Sequence, residues 1–127
     1  ADLAEVTAPV DAQAIKQAVM NLAINGLQAM DAIEGEAAAP ARQKTLMLRL
    51  QRVEDHAVIE VIDTGRGIPA AEQPRVFELF YTSRRGGTGI GLAMVARTVQ
   101  AHGGEIQCSS EEGKGTSFRM ILPVKRS

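Results

Sequence analysis

Gly86-Gly87-Thr88-Gly89-Ile90-Gly91-Leu92-Ala93-Met94 is a run of glycines that passes straight into a helix. Beyond the last glycine the apolar residues fall at Leu92, Val95, Ala96 and Val99, the spacing of one buried helical face, while Ala93, Arg97 and Gln100 lie on the other side. The spacing predicts a helix beginning near Gly89. Its first amides have no partner inside the helix, and glycines leave room for a charged ligand to reach them, so this end suits the phosphates of a nucleotide. A tight turn with no ligand would carry the same glycines. The rest of the chain has to separate the two readings.

Composition narrows the classes. The 127 residues are expected to form a single domain over positions 1–127, with 45% hydrophobic content that is normal for a folded chain. Fourteen basic residues against fifteen acidic ones give a net charge of -1, and three phenylalanines with one tyrosine offer little for base stacking. Nucleic acid is therefore not the expected partner. Cys108 is the only cysteine, which excludes an internal disulfide and a cysteine-rich metal site and fits a reducing, cytoplasmic setting. No apolar run approaches membrane-spanning length, so the domain is expected to make no membrane contact. Ala1 in place of Met suggests a piece excised from a longer protein.

Outward from the glycines, the N-terminal side begins with Ala1 to Val10, extended in character and readable as an edge strand or arm. From Asp11, an N-cap candidate, Ile15, Ala18, Val19, Leu22, Gly26, Ala29, Met30 and Ile33 keep helical spacing for more than five turns. Asn21, Asn25 and Gln28 line one flank of that helix. Asparagine is a mediocre helix former, so two of them one turn apart ask for a reason. They form either an exposed polar face or a pair of neutral oxygen donors for a hard cation such as Mg2+. Gly35 to Lys44 reads as a loop, and Leu46, Leu48 and Leu50 alternate into a strand. Glu54-Asp55-His56 turns the chain, with His56 solvated, into a second, β-branched strand from Ala57 to Ile62.

That strand ends in Asp63-Thr64-Gly65-Arg66-Gly67-Ile68-Pro69. A carboxylate at a strand terminus beside two glycines is placed to meet a ligand, although an Asp-Gly turn looks the same. Against a base, Asp63 would accept a hydrogen bond from an exocyclic amino group, worth about 1.5–3 kcal/mol because the acceptor is charged. Guanine would present a carbonyl oxygen there, and the repulsion would select adenine. Ala70 to Phe80 reads as a short helix with Pro74 at its first position, anchored by Phe77, Phe80 and Tyr81. The long connection from Ile68 to Thr88 suits a lid, and Arg84 and Arg85 within it suit clamps on a terminal phosphate. The glycine helix ends at His102-Gly103-Gly104, where Gly103 suits the left-handed cap and His102 the final carbonyls. A second hairpin follows, with Ile106 and Cys108 in one strand, a turn over Glu111 to Gly115, and Thr116, Phe118, Met120 and Leu122 alternating before Pro123. Cys108 is then a small core residue.

In this order the motifs resemble the ATP-binding catalytic domain of sensor histidine kinases, within the GHKL superfamily that also holds DNA gyrase, a heat-shock chaperone and the mismatch-repair ATPases. Asn21-Leu22-Ala23-Ile24-Asn25-Gly26 is similar to the family's N box and Asp63 to Gly67 to its first glycine box. Phe77-Glu78-Leu79-Phe80 is similar to the F box, Gly87-Thr88-Gly89-Ile90-Gly91-Leu92 to the second glycine box, and Gly113-Lys114-Gly115-Thr116-Ser117-Phe118 to the closing motif. The resemblance runs from about Asp11 to Pro123. It implies an α+β fold, a two-layer α/β sandwich of the Bergerat type with a mixed sheet and helices on one face. It also implies ATP and Mg2+ as ligands. Asn25 would bind the metal with Asn21 assisting near the phosphates, Asp63 would recognise adenine, Gly65, Gly67 and Ile68 would admit base and ribose, and Thr116 would close the pocket. Gly87, Thr88, Gly89, Ile90, Gly91 and Leu92 would hold the phosphate chain, with Gln28, Phe80, Thr82, Arg84 and Arg85 completing the site. Many family members carry a basic residue where this chain has Gln28, so neutralisation here would lean on Mg2+, Arg84 and Arg85.

Position 21 separates two reaction classes. The hydrolytic relatives carry a glutamate there as base for water, whereas Asn21 is an amide that accepts no proton at neutral pH. The resemblance therefore implies transfer of the γ-phosphoryl to a histidine on a separate helical hairpin dimerisation domain, with a response regulator downstream and a parent protein that could be membrane-anchored. Neither His56 nor His102 stands in a His-Glu/Asp-x-x-x-Pro setting, so the acceptor is expected outside this chain. Two alternatives are a serine kinase of the anti-sigma-factor type, which the missing glutamate disfavours, and a nucleotide-sensing module without catalysis.

Overall fold

The computed structural model describes residues 11–34, 44–78, 81 and 90–124. The N-terminal arm, most of the loop after the first helix, and Phe80, Thr82, Arg84, Arg85, Gly87, Thr88 and Gly89 lie outside these residues. The expectations that rest on them are not addressed by the structure.

Helix α1 spans Ala12–Glu34. Asp11 caps it as expected, its Oδ1 accepting from the Ala14 N–H at 3.1 Å. Helix α2 spans Gly91–Ala101 with Ile90 as its N-cap, so it starts two residues later than the glycine spacing suggested. It ends in the expected way. Gly103 has φ +72°, and the Gly104 N–H reaches the Val99 carbonyl at 2.9 Å.

Four strands form one sheet: β1 (Leu46–Val53), β2 (His56–Asp63), β3 (Glu105–Glu111) and β4 (Gly115–Pro123). Their order is β1-β2-β4-β3, and every described pairing is antiparallel. His56 opens β2 rather than sitting in the turn, which is formed by Glu54 (φ 54°) and Asp55. Pro123 is the last residue of β4, opposite His56. The short helix expected over Ala70 to Phe80 is a single 3₁₀ turn, Gln73–Arg75, with Pro74 inside it.

Both helices pack on one face of the sheet and against each other, α1 over β2 and α2 over β3 and β4. The core between the layers is Ala18 and Leu22 of α1, Val95 and Val99 of α2, and Val61, Phe118, Met120 and Leu122 of the sheet, with Val76 from the segment after β2. Burying each large member is worth about 1.5–3 kcal/mol, which is what holds the two layers in one geometry. Phe77 joins this core edge-on to Phe118, with ring centroids 5.9 Å apart, as the packing reading of the aromatic cluster required. Of the alternating leucines in β1 only Leu46 packs; Leu48 and Leu50 are exposed because α1 lies over β2 instead. On the opposite face Glu60 is buried between Arg49 (3.5 Å) and Arg119 (3.6 Å), across-strand neighbours in register.

Candidate functional site

β2 runs into the site and stops there. Its last residue, Asp63, is 3% exposed and pairs in register with Thr116, which is 4% exposed. Asp63 Oδ1 accepts from the Gly65 N–H at 2.8 Å, so the carboxylate organises the turn that follows it. The Asp-Gly-turn reading therefore applies to Asp63. Two glycines bring α1 against this turn. A methyl at Gly26 would meet Asp63 Cβ at 3.2 Å, and one at Gly65 would meet Ala29 Cβ at 2.7 Å. Asn25 precedes Gly26 on α1 and is half-buried, so the metal-ligand candidate and the base-recognition candidate belong to one neighbourhood.

Two further glycines carry the backbone where other residues strain. Gly115 has φ +146° and lies on the Asp63 carbonyl oxygen, where any Cβ would collide. Gly67 has φ +74° and lies in the same way on the Glu111 carbonyl. The loop after Asp63 is thereby clamped onto the β3–β4 turn, an attachment completed by the Gly113 N–H donating to Arg66 O at 2.7 Å.

Sequence reasoning missed two residues in this clamp. Ser110 Oγ accepts from the Ile68 N–H at 2.8 Å, lies 2.9 Å from the Gly115 carbonyl and 2.8 Å from Thr116 Oγ1. Its one hydrogen belongs on the Gly115 carbonyl, which can only accept. Thr116 is then the donor to Ser110 and keeps its own lone pairs for other partners. Gln73 Nε2 donates to both Ile68 O and Ser110 O at 3.0 Å. The signal for Ser110 was its place opposite Thr116 across the second hairpin.

Around these residues, Asn21 is half-buried and its Oδ1 accepts from Gln17 Nε2 at 3.3 Å, one turn earlier. Gln28 is exposed, and Ile68 and Leu92 pack against the core edge. Gly91 is exposed at the head of α2, where the first intrahelical bond is Met94 N–H to Ile90 O at 2.9 Å. The amides of Gly91, Leu92 and Ala93 thus precede the hydrogen-bond ladder of the helix. Cys108 sits on β3 beside Phe118, and its burial, followed by the nearby charge of Asp63, pushes its thiol up to about 11. It is a partly buried residue packed against the core, with a thiol held protonated at neutral pH. Among the described residues no group of three or more His, Cys, Asp or Glu side chains is arranged to hold a metal. Asn25, the metal-ligand candidate, is half-buried on α1 one turn from Asn21, and its amide oxygen is of the type that suits a hard cation.

A two-layer α+β fold with helices on one face, a buried carboxylate at a strand end and glycine clamps around it defines a nucleotide-binding ATPase class. The chain belongs to the family described as histidine kinase-, DNA gyrase B- and HSP90-like ATPase, whose profile matches residues 10–126. Within it the fold is that of the ATP-binding catalytic domain of sensor histidine kinases. The chain is 34% identical over 114 residues to the signal transduction histidine-protein kinase AtoS of Escherichia coli, covering 90% of this chain and 17% of AtoS. It is 35% identical over 115 residues to sporulation kinase C of Bacillus subtilis, covering 91% of this chain and 24% of that kinase. Among solved structures it superposes on the mycobacterial sensor histidine kinase MprB with TM-score 0.78 and 26% identity, covering 94% of this chain and 78% of that one. It also superposes on full-length ShkA, solved in complex with AMPPNP, with TM-score 0.80 and 25% identity, covering 97% of this chain and 24% of ShkA. The chain thus spans about a fifth of the length of these curated relatives. No described helix is long and apolar enough to cross a membrane.

Proposed function

We propose that this domain binds ATP with Mg2+ and transfers the γ-phosphoryl group to a histidine on a separate helical hairpin of its parent protein, from which a response regulator would receive it. The observation that carries the reading is the buried Asp63–Thr116 pair at the end of β2, with a negative acceptor and a hydroxyl side by side and α1 brought close by Gly26 and Gly65. Such a pair suits a purine that offers an amino group, and ShkA, a structural relative, was solved with AMPPNP.

In this reading Asp63 fixes the base and Thr116 accepts or relays a hydrogen bond beside it. The amides at the head of α2 meet the phosphate chain, which Arg84 and Arg85 would clamp. Asn25, assisted by Asn21, would hold Mg2+, which supplies charge neutralisation on phosphate oxygens. The acceptor imidazole nitrogen attacks the γ-phosphorus, forming an N–P bond while the bond to the bridging oxygen breaks and ADP leaves with the electron pair. Asn21 cannot take a proton from water, so the site is protected against hydrolysis while it waits for the acceptor.

The test mixes the domain with Mg2+, γ-labelled ATP and a histidine-bearing hairpin from the parent protein. Label on the hairpin histidine is expected. Label on a serine of a protein substrate, or binding with transfer to no acceptor, would replace this reading with a serine kinase or a nucleotide sensor.

A further inference from the structure

The C-terminus of α2 carries a contact that ending a helix does not require. Backbone groups already close it: the N–H groups of His102, Gly103 and Gly104 reach the Val99 and Gln100 carbonyls at 2.9–3.1 Å. The His102 ring adds two bonds. Its Nδ1 lies 2.8 Å from the Thr98 carbonyl, and its Nε2 accepts from the backbone N–H of Asp11, the N-cap of α1, at 2.9 Å. A carbonyl can only accept and an amide N–H can only donate, so both partners demand the same ring: neutral, with its hydrogen on Nδ1. A proton on Nε2 would set two donors against each other.

We propose that His102 is a positioning residue whose neutral Nδ1–H ring latches the start of α1 to the end of α2 and so sets the level at which the two helices present the phosphate site. α1 leaves this latch and α2 arrives at it while the two pack together, so they run antiparallel from a fixed common end. At the helical rise, Asn21 stands about 15 Å along α1 from Asp11, and Gly91 about 16 Å along α2 from His102. The amide-bearing head of α2 and Asn21 of α1 therefore lie at about the same distance from the latch, with Asn25 one turn further along α1. Ala18 and Val95, buried in one core, stand at matching distances from the latch, each about 10 Å along its helix. Packing of the shared core already opposes sliding of one helix along the other, and the latch adds a directional restraint at the end away from the site. The hydrogen bond at the far end supplies the direction.

The inference rests on the ATP reading for its functional half and on the contact itself for its structural half, and two measurements on the intact domain separate them. Long-range 15N–1H NMR of the imidazole is expected to show the Nδ1–H tautomer, which a free histidine side chain in water disfavours. ATP titration in the presence of Mg2+ is expected to give roughly three- to tenfold weaker binding for His102→Ala, as one lost hydrogen bond implies. His102→Gln, whose side-chain oxygen again accepts from the Asp11 amide, is expected to recover most of that loss. An Nε2–H ring, or equal affinities for wild type and His102→Ala, or a His102→Gln variant as weak as His102→Ala, would overturn the latch. Absence of ATP binding by the wild-type domain would instead remove the ATP reading, and the positioning role with it, while the tautomer would still report the contact.

Discussion

Asp63 of β2 and Thr116 of β4 face each other in register, both buried, with the Gly115 backbone laid over the Asp63 carbonyl oxygen. A polar pair this deep is held by its surroundings: Gly65 bonds one partner and Ser110 the other. The residue proposed to recognise the base is thus part of the sheet.

Gly115 is required by that arrangement. Gly115→Ala would place a methyl on the Asp63 carbonyl at φ +146° and is expected to destabilise the domain by about 2 kcal/mol or more. For a chain of this size that corresponds to roughly a 10 °C fall in melting temperature, to be read by thermal denaturation. An unchanged melting temperature would show that the hairpin can move off β2.

Ser110→Ala removes the acceptor of the Ile68 N–H and one partner of Thr116. An unsatisfied group of this kind costs about 1–3 kcal/mol when desolvated. The expected outcome is a lower melting temperature together with several-fold weaker ATP binding, because the loop after Asp63 loses its anchor. Calorimetry on the same preparation reads both effects.

Asn25→Ala is expected to weaken ATP binding chiefly when Mg2+ is present, since its amide oxygen would serve the metal and not the base. Titrations with Mg2+ and with EDTA separate the cases. Equal losses in both would remove Asn25 from metal binding.

The helices, the two hairpins and the apolar faces were legible because their periods are written locally. Leu92, Val95, Ala96 and Val99 pack as their spacing implied, and Asp11 and Gly103 cap as their chemistry implied. Asp63 stood out because a carboxylate between a β-branched strand and two glycines suits either a turn or a ligand, and its bond to Gly65 shows the turn. Ser110 and Gln73 did not stand out, since their roles depend on Ile68 and Thr116 arriving from elsewhere in the chain. The length of the helix after Pro69 was overread because Pro74 and the aromatic spacing fit a full helix as well as one 3₁₀ turn. The second bond of His102 was invisible for the same reason as Ser110: its partner, Asp11, is 91 residues away.

Cys108 offers a pH readout of the site. Its thiol, raised from 9.0 to about 11 by burial and by the charge of Asp63, stays protonated in the folded domain when the unfolded chain already ionises. Stability should therefore fall as pH rises from about 9 towards 11, because the unfolded state then binds fewer protons. Alkylation by iodoacetamide is expected to be negligible in the folded domain at pH 8, rapid in urea, and to rise in the folded domain as pH approaches 11. Fast labelling of the folded domain at pH 8 would contradict the burial and the placement beside Asp63.

The most direct test of the account is calorimetric titration of the domain and of Asp63→Asn with Mg2+-ATP and with Mg2+-GTP, with circular dichroism to verify the fold. A carboxylate that selects adenine through its amino group predicts binding of ATP by wild type, little or no binding of GTP, and loss of ATP binding in a folded Asp63→Asn variant. Unchanged ATP affinity in that variant, or GTP bound as well as ATP by wild type, would contradict it.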